Sequence, residues 1–353
     1  MNCGRAPTTV MTRNIRDVLP RDYGRALQRA LPLGWGLERP FATPHPSATE
    51  PGPYYVDWFP GDEVWGEGWS GAPFDARGTI LTPAGAGYHP VRIAQYGLHR
   101  HAAWLRDRSP AARAAFLAQA EWLRDNQVTS RGVRGTYPYA FAHPPYGALP
   151  GWLSAMAQGE AASLLLRAHA AEPGAGFGAA AREALEPMAV DVAEGGVRRR
   201  TRDGDTFFEE YATDRPSYVL NGFIYALFGL WEADRYDAGA AVKPLLEAGL
   251  GTLRRRLGLY DLGYWSRYDL VTPAAGPPKP ASLGYHALHV AQLRALTAMT
   301  GDAHFATTAE KWRGYQESPV CCARQVASTA AALAIKRLVK PAGAAVSDVV
   351  VAN

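Results

Sequence analysis

The chain has 353 residues, with 37 Lys+Arg against 33 Asp+Glu and a formal net charge of +4. Apolar residues make up 47% and charged residues 20%, the proportions of a globular protein with a substantial core, so a largely disordered chain and a collagen-like or disulfide-stapled scaffold are excluded. The length fits two domains or one large one at about 150 residues each, and so mild a positive excess gives no argument for nucleic acid as a partner.

The first twenty residues carry Arg5, Arg13 and Arg16 and no apolar run, so no secretory signal is expected. Residues 1–50 read as a loosely structured segment, with Pro and Gly frequent from Pro40 onward. Residues 51–89 read as short strands and loops: Tyr54-Tyr55-Val56-Asp57-Trp58-Phe59 alternates and is rich in strand formers, with Gly-Pro turns around it. From Pro90 the pattern becomes helical and stays so to about residue 340, leaving a tail over 341–353.

One helix is expected from about Pro90 to Asp107, and Ser109-Pro110 supplies the cap and first residue of the next. Further helices are expected near 150–169, 176–190, 217–234, 239–257, 281–300, 302–315 and 324–339, with Asp302 as a cap. The segments from Val219 to Phe228 and from Trp152 to Leu166 are apolar nearly all round, as for helices buried on every side. Buried helices alternating with amphipathic ones predict two concentric layers of helical hairpins, hence a mainly α protein built as an incomplete α/α toroid. Two irregular stretches, near 127–150 and 258–280, are then placed at the open end, over the cleft. No run reaches 18 uninterrupted apolar residues; Lys336 and Arg337 break the nearest, at Ala330–Leu338, so no membrane span is expected.

Cys3, Cys321 and Cys322 form neither a CxxC pair nor a zinc set and read as reduced thiols. The 17 Tyr and 10 Trp against 11 Phe suit a cleft that grips sugar rings, and equally a large helical core. Within Phe207-Phe208-Glu209-Glu210-Tyr211, Glu210 has the chemistry of an acid or base and Tyr211 that of a phenolic proton donor; the other reading is a solvated charge pair beside a packed ring. Gly222, inside an apolar helix, costs about 1 kcal/mol relative to Ala and implies close packing or a ligand contact. Tyr260 to Asp269 holds three tyrosines and reads as either groove lining or a cover over the core. His286 and His289 are three apart, but no HExxH or convergent carboxylates accompany them, so hydrogen-bonded histidines are expected instead of a metal site.

Trp152 to Gly159 (WLSAMAQG), Glu209-Glu210-Tyr211 followed by Ser217 to Phe223 (SYVLNGF), Tyr88 to Leu98 (YHPVRIAQYGL) and Tyr285 to Leu293 (YHALHVAQL) together resemble the helical catalytic part of the D-glucuronyl C5-epimerases, from about Tyr54 to Tyr315. The resemblance implies an isomerase that removes the C5 hydrogen of D-glucuronate in a heparosan-like polysaccharide and returns a proton to the opposite face, giving L-iduronate. It implies no cofactor and no metal, an acidic polysaccharide as partner and a homodimer. It further implies a soluble form without the membrane anchor and larger N-terminal β-region of the animal enzymes. Localisation is expected to be cytoplasmic, or near the envelope where a polysaccharide substrate would lie.

By the same resemblance Tyr211, Tyr268, Tyr285 and Glu210 are the catalytic candidates, with the phenols transferring protons or stabilising the intermediate. A phenol near pKa 10 is a weak base, so a neighbouring cation or donor is expected to lower it. The animal enzymes have a basic residue after the YDL motif, where this chain has Val271; Arg267 is the expected substitute for gripping the uronate carboxylate. Tyr88, Gln95, Arg131, Arg134, Trp152, Asn221 and His286 complete the expected substrate groove, and Arg198 to Arg202 would either steer a polyanion or form a solvated basic loop. Two rival readings are a uronate polysaccharide lyase of toroid fold, which expels the 4-O group after the same abstraction, and a non-catalytic polysaccharide-binding protein. A toroid glycoside hydrolase needs two carboxylates across the bond, and adjacent Glu209 and Glu210 offer no obvious pair.

Overall fold

A computed structural model of the chain describes residues 42–43, 48–56, 71–82, 87–237, 239–271 and 278–339. The expectations for most of 1–50, for the strand-like Asp57 to Phe59 and for 341–353 lie outside the described residues. The fold is mainly helical, and its helices start where capping chemistry places them. Helix α1 (Pro90–Asp107) begins with Pro90 in its first turn, and Nδ1 of His89 accepts from the Arg92 amide. Helix α2 (Pro110–Asp125) is capped by the Ser109 hydroxyl, as the Ser-Pro pair predicts. Helices α3 (Ala155–Ala171), α4 (Phe177–Leu185), α5 (Leu220–Tyr236), α6 (Lys243–Arg256), α7 (Leu283–Thr300), α8 (Ala303–Glu317) and α9 (Pro319–Val339) follow. Helix α9 starts five residues before the expected 324, because Pro319 opens it.

Helices α1, α3, α5 and α7 pack side by side in that order, and each also contacts its successor, α2, α4, α6 and α8. Burial follows this division. Nearly every position of α3 and of α5 is buried, whereas α6 and α8 bury one stripe each. The α3–α5 seam is a contact of backbones: a Cβ on Gly229 would lie 2.6 Å from Gly159 Cα, and one on Gly159 would lie 2.8 Å from Ala226 Cα. Only glycine permits that approach. Farther along the seam, fully buried Arg167 and Glu232 pair at 2.7 Å, and Arg167 Nε also holds the Gly52 carbonyl at 2.9 Å.

The expected strands are few among the described residues. Two short antiparallel hairpins occur: β1 (Val128–Ser130) with β2 (Val133–Thr136), and β3 (Arg198–Arg200) with β4 (Thr206–Phe208). Between 71 and 82 the ladder is a single Phe74–Ile80 bridge. Residues 137–153 form an irregular ribbon closed by Tyr139 N to Trp152 O (3.0 Å) and His143 N to Ala148 O (2.8 Å). A second irregular segment, 257–271, is tied to the first residue of α5 by Leu220 N to Tyr268 O at 3.0 Å. The loop joining β4 to α5 lies between them, with Ala212 N bonded to Leu153 O at 3.0 Å. No helix among the described residues is long and apolar enough to cross a membrane.

Candidate functional site

The Glu209–Glu210 pair is not a solvated charge pair: the residues are 1% and 7% exposed. Neighbouring side chains in a non-helical segment leave the backbone in opposite directions, and these two do different things. Glu209 is a fastener. Its Oε2 accepts from Ser217 N (3.0 Å), Ser217 Oγ (2.6 Å) and Tyr218 N (3.1 Å), and its Oε1 accepts from Arg199 Nε (2.8 Å). These four donors compensate the buried charge. They also hold Tyr218 in the left-handed region at φ 50°, a strained conformation for a bulky residue. Arg199, from the basic run, is therefore turned inward, and Arg198 pairs with Asp191 at 2.5 Å.

Glu210 faces the other way, into aromatic rings. The Tyr268 hydroxyl donates to its Oε1 at 3.3 Å. Burial, helped by the nearby negative charge of Asp269, raises its carboxyl to about 7, while the phenols of Tyr211 and Tyr268 pull it down. A group titrating there changes hands with a proton readily at neutral pH. Gly222 in the first turn of α5 makes the room: a Cβ there would lie 2.3 Å from Glu210 Oε2 and 2.6 Å from its Cβ. The glycine anomaly is thus a packing contact against the candidate carboxylate.

The other phenols gather around this point. The rings of Tyr268 and Tyr285 meet edge to face with centroids 4.7 Å apart. Tyr285 stands in the first turn of α7, its amide capped by Ser282 Oγ at 3.2 Å. Tyr211 is 4% exposed, and one of its faces is covered by two near-parallel rings, Tyr146 at 4.2 Å and His143 at 4.6 Å. Tyr146 in turn donates to Asp269 Oδ2 at 2.6 Å. Trp152 stacks on Tyr139 at 3.8 Å, lies 5.4 Å from Tyr211, and donates its indole N–H to Phe141 O.

The expected lowering of the phenols does not occur. Burial, and next to it the charge of Glu210, drives Tyr211 and Tyr268 well above the ordinary phenol value. Further causes are the charges of Tyr285 and Tyr146, which push the same way, and none of those named is a cation. These phenols are built to donate hydrogen bonds or protons.

Four of the expected groove residues are bonded to partners outside the tyrosine cluster. Tyr88 packs on Trp122 and donates to Asp75 Oδ2 at 2.9 Å. The Gln95 amide holds Glu160 at 3.2 Å between α1 and α3. Exposed Arg131 donates to Ala193 O at 2.8 Å, and exposed Arg134 pairs with Glu186 at 2.5 Å. The carbonyl of Asn221 accepts from Gln292 at 3.0 Å, while its buried Oδ1 has no partner among the described residues. Arg267 reaches Val271 O at 3.5 Å, and its buried Nε has no hydrogen-bond partner among the described residues.

His286 is wholly committed to the protein. The Ser266 amide donates to its Nδ1 at 3.0 Å, so Nδ1 carries no proton and Nε2–H donates to Trp312 O at 2.9 Å. Ser266 Oγ, 2.8 Å from that Nδ1, gives it a second hydrogen bond and accepts from His289 Nδ1 at 2.9 Å. Burial depresses His286 to about 3. The histidine pair is hydrogen-bonded, as its sequence context suggests, and it fixes the Tyr260–Tyr268 segment against α7 instead of facing a ligand.

Residues 131–314, just over half of the chain, match the family model described as the C-terminus of D-glucuronyl C5-epimerase. The chain belongs to the D-glucuronyl C5-epimerase family. It is 36% identical over 214 residues to the D-glucuronyl C5-epimerase of Caenorhabditis elegans, a match covering 57% of this chain and 35% of that protein. It is also 30% identical over 178 residues to an uncharacterized protein of Methanocaldococcus jannaschii, covering 50% of this chain and 56% of the other. The chain thus spans about a third and about half of the lengths of these two relatives. The matched family segment contains Tyr146, Glu210, Tyr211, Tyr268, Asp269 and Tyr285.

Sequence reasoning missed His143, Tyr146 and Asp269. The first two stand in a Pro-rich ribbon without periodicity, and Tyr146 meets Asp269 across 123 positions of chain. Asp269 was nonetheless part of the quoted tyrosine-rich segment, immediately after Tyr268.

Proposed function

We propose that the chain carries out a C5 epimerisation of D-glucuronate to L-iduronate within a heparosan-like polysaccharide. The observation that carries this reading is a buried carboxylate, Glu210, poised near neutrality and surrounded by Tyr211, Tyr268 and Tyr285. The family membership supplies the reaction class.

The chemical difficulty is that a carbon next to an ionised carboxylate is a poor proton donor. Glu210 is the base in this reading: its deprotonated form takes the C5 hydrogen, and the bond's electrons pass into the uronate carboxylate as an enediolate. Phenols held protonated by burial are suited to donating hydrogen bonds to that developing charge, an oxyanion-hole role. Arg267, with its unpartnered Nε among the described residues, is the proposed grip on the uronate carboxylate, and an always-charged fork suits that task. Trp152 and Asn221 remain proposed groove residues. For the fold, the row α1, α3, α5, α7 backed by α2, α4, α6, α8 supports an incomplete α/α toroid over 90–340, with the two irregular segments at its open end.

The test is incubation with heparosan in deuterated water followed by proton NMR. Deuterium at C5 together with iduronate signals is the expected result; unsaturated uronate ends would identify a lyase, and an inert polymer that is merely bound would identify a binding protein. Tyr268→Phe and Tyr285→Phe each remove one hydroxyl. Each is expected to lower turnover about a hundredfold or more, within the range for losing one proton-transfer or charge-stabilising group. Full activity in both would overturn the assignment of the phenols.

A further inference from the structure

Inversion at C5 needs an acid and a base on opposite faces of the sugar ring, because a single group returns the proton to the side it came from. The Glu210–Tyr268 pair provides one such group. The site contains a second pair of the same kind: the Tyr146 hydroxyl donates to Asp269 Oδ2 at 2.6 Å. Tyr268 and Asp269 are consecutive residues of a non-helical segment, so their side chains diverge. One runs to Glu210 in the loop before α5, and the other runs to Tyr146 in the ribbon before α3. The two carboxylate–phenol pairs therefore leave the same short piece of backbone in different directions. Tyr146 belongs to the same cluster, since its ring lies on Tyr211 at 4.2 Å with planes only 10° apart.

We propose that Tyr146, backed by Asp269, is the second proton-transfer group of the site and serves the ring face opposite Glu210. This rests on the epimerase reading above. The forward direction uses the form in which Glu210 is the carboxylate and Asp269 the carboxylic acid, with the Tyr146–Asp269 hydrogen bond reversed: the acid proton is donated to the Tyr146 oxygen while the phenol O–H turns to the sugar. Glu210 takes the C5 proton as the C–H bond breaks and its electron pair enters the enediolate. The enediolate collapses, Tyr146 gives its hydroxyl proton to C5 on the other face, and the Asp269 acid proton moves to the Tyr146 oxygen. The phenol is restored, Glu210 ends protonated and Asp269 ionised. Loss of the Glu210 proton to water and uptake of one by Asp269 reset the pair, and the reverse reaction exchanges the two roles. Asp269 acts only through Tyr146 and is a positioning and proton-reserve residue.

Both carboxyls feel the burial of the site. Burial raises Asp269 above the ordinary aspartate value, and its charge is among the causes that raise Glu210. The ribbon also positions Tyr146 firmly. His143 and Ala148 exchange backbone hydrogen bonds of 2.8 and 3.1 Å around the turn, and Gly147 supplies the left-handed residue at φ 66° that closes it.

The experiment compares wild type, Tyr146→Phe and Asp269→Asn on two polymers in deuterated water. One is heparosan and the other is the iduronate-containing product made by the wild type. Asp269→Asn keeps an acceptor for the Tyr146 hydroxyl but cannot hold the reserve proton, and it carries the test if Tyr146→Phe melts below the assay temperature. The expected result is separation of exchange from inversion. Each variant keeps C5 deuterium exchange from one uronate epimer, loses it from the other, and inverts at least about a hundredfold more slowly. Inversion at the wild-type rate overturns the proposal, and so does a parallel loss of exchange and inversion from both epimers, which is what a merely structural role produces. A wild type that neither exchanges nor inverts C5 overturns the parent reading along with it, whereas an active wild type beside equally active variants overturns this inference alone.

Discussion

Replacing Gly222 by alanine tests whether the position of Glu210 governs activity. The added methyl carbon would sit 2.3 Å from Glu210 Oε2, 2.6 Å from its Cβ and 2.8 Å from its Cγ, where ordinary contact begins near 3.4 Å. Rotating the end of the side chain relieves only the first of these, so the whole side chain has to retreat by about 1 Å. Overpacking of this kind costs about 1–3 kcal/mol, and Ala returns about 1 kcal/mol of helix propensity. The net loss of stability is therefore only about 0–2 kcal/mol. Catalysis is less forgiving, because a displacement of about 1 Å can cost on the order of a hundredfold. On the proposed reaction, the expected outcome is a variant nearly as stable as the wild type that epimerises heparosan about a hundredfold more slowly. The paired assays are urea denaturation and C5 exchange by NMR. Wild-type turnover in a folded Gly222→Ala protein would refute the argument that Glu210 must stand where Gly222 allows it.

Three further outcomes follow from the buried charges. Glu210 sits near 7 against an ordinary 4.5, so between those values the folded chain keeps a proton that the unfolded chain has released, and stability falls as pH rises through that window. Glu210→Gln should accordingly be inactive but more stable than wild type by up to about 3 kcal/mol at pH 8, with the gain gone below about pH 4, as read by urea melts at both pH values. His286 has the opposite sign: its depressed value of about 3 means that its contribution is fully present above 6.5 and is lost as pH falls toward 3. His286→Asn, though less stable at pH 7, should lose less stability than wild type between pH 6.5 and 4. Glu232→Gln leaves Arg167 as a buried, unpaired charge and should cost about 3–5 kcal/mol in denaturation experiments, with the tyrosine cluster unchanged.

Where one local rule decides an element, the sequence was readable. Ser109-Pro110 opens α2 and Asp302 caps α8, and the all-round apolar segments became the doubly buried α3 and α5. Glu210, Tyr211, Tyr268 and Tyr285 do come together, although their sequence separations gave no geometric reason for it; the resemblance to a family did. What the sequence concealed was set by pairing at a distance. Gln95 and Glu160 are 65 residues apart, and nothing in the sequence marks the glutamine as that carboxylate's partner. The pull on the phenols was misjudged for a similar reason. Their acidity depends on which charge lies nearest in space, and that is the anionic Glu210, not a cation. His143 and Tyr146 follow no periodicity, so only the folded ribbon reveals them as the cover over Tyr211.

The glycine seam between α3 and α5 bears on how the site keeps its dimensions. Side-chain packing tolerates exchange of one apolar residue for another, because rotamers adjust and neighbours give way. Backbone resting on backbone has no such slack, so Gly159 and Gly229 set the spacing of the two helices by the size of the main chain itself. Helix α5 begins at Leu220, beside the Glu210 loop, and the ribbon holding Tyr146 runs into the start of α3. The interval between the two carboxylate–phenol pairs is thus gauged by a contact about one turn into α3 and about two and a half turns into α5. Mutational drift in the hydrophobic core can proceed without altering it, whereas a single methyl group at the seam would change the spacing of the two helices on which the pairs are mounted.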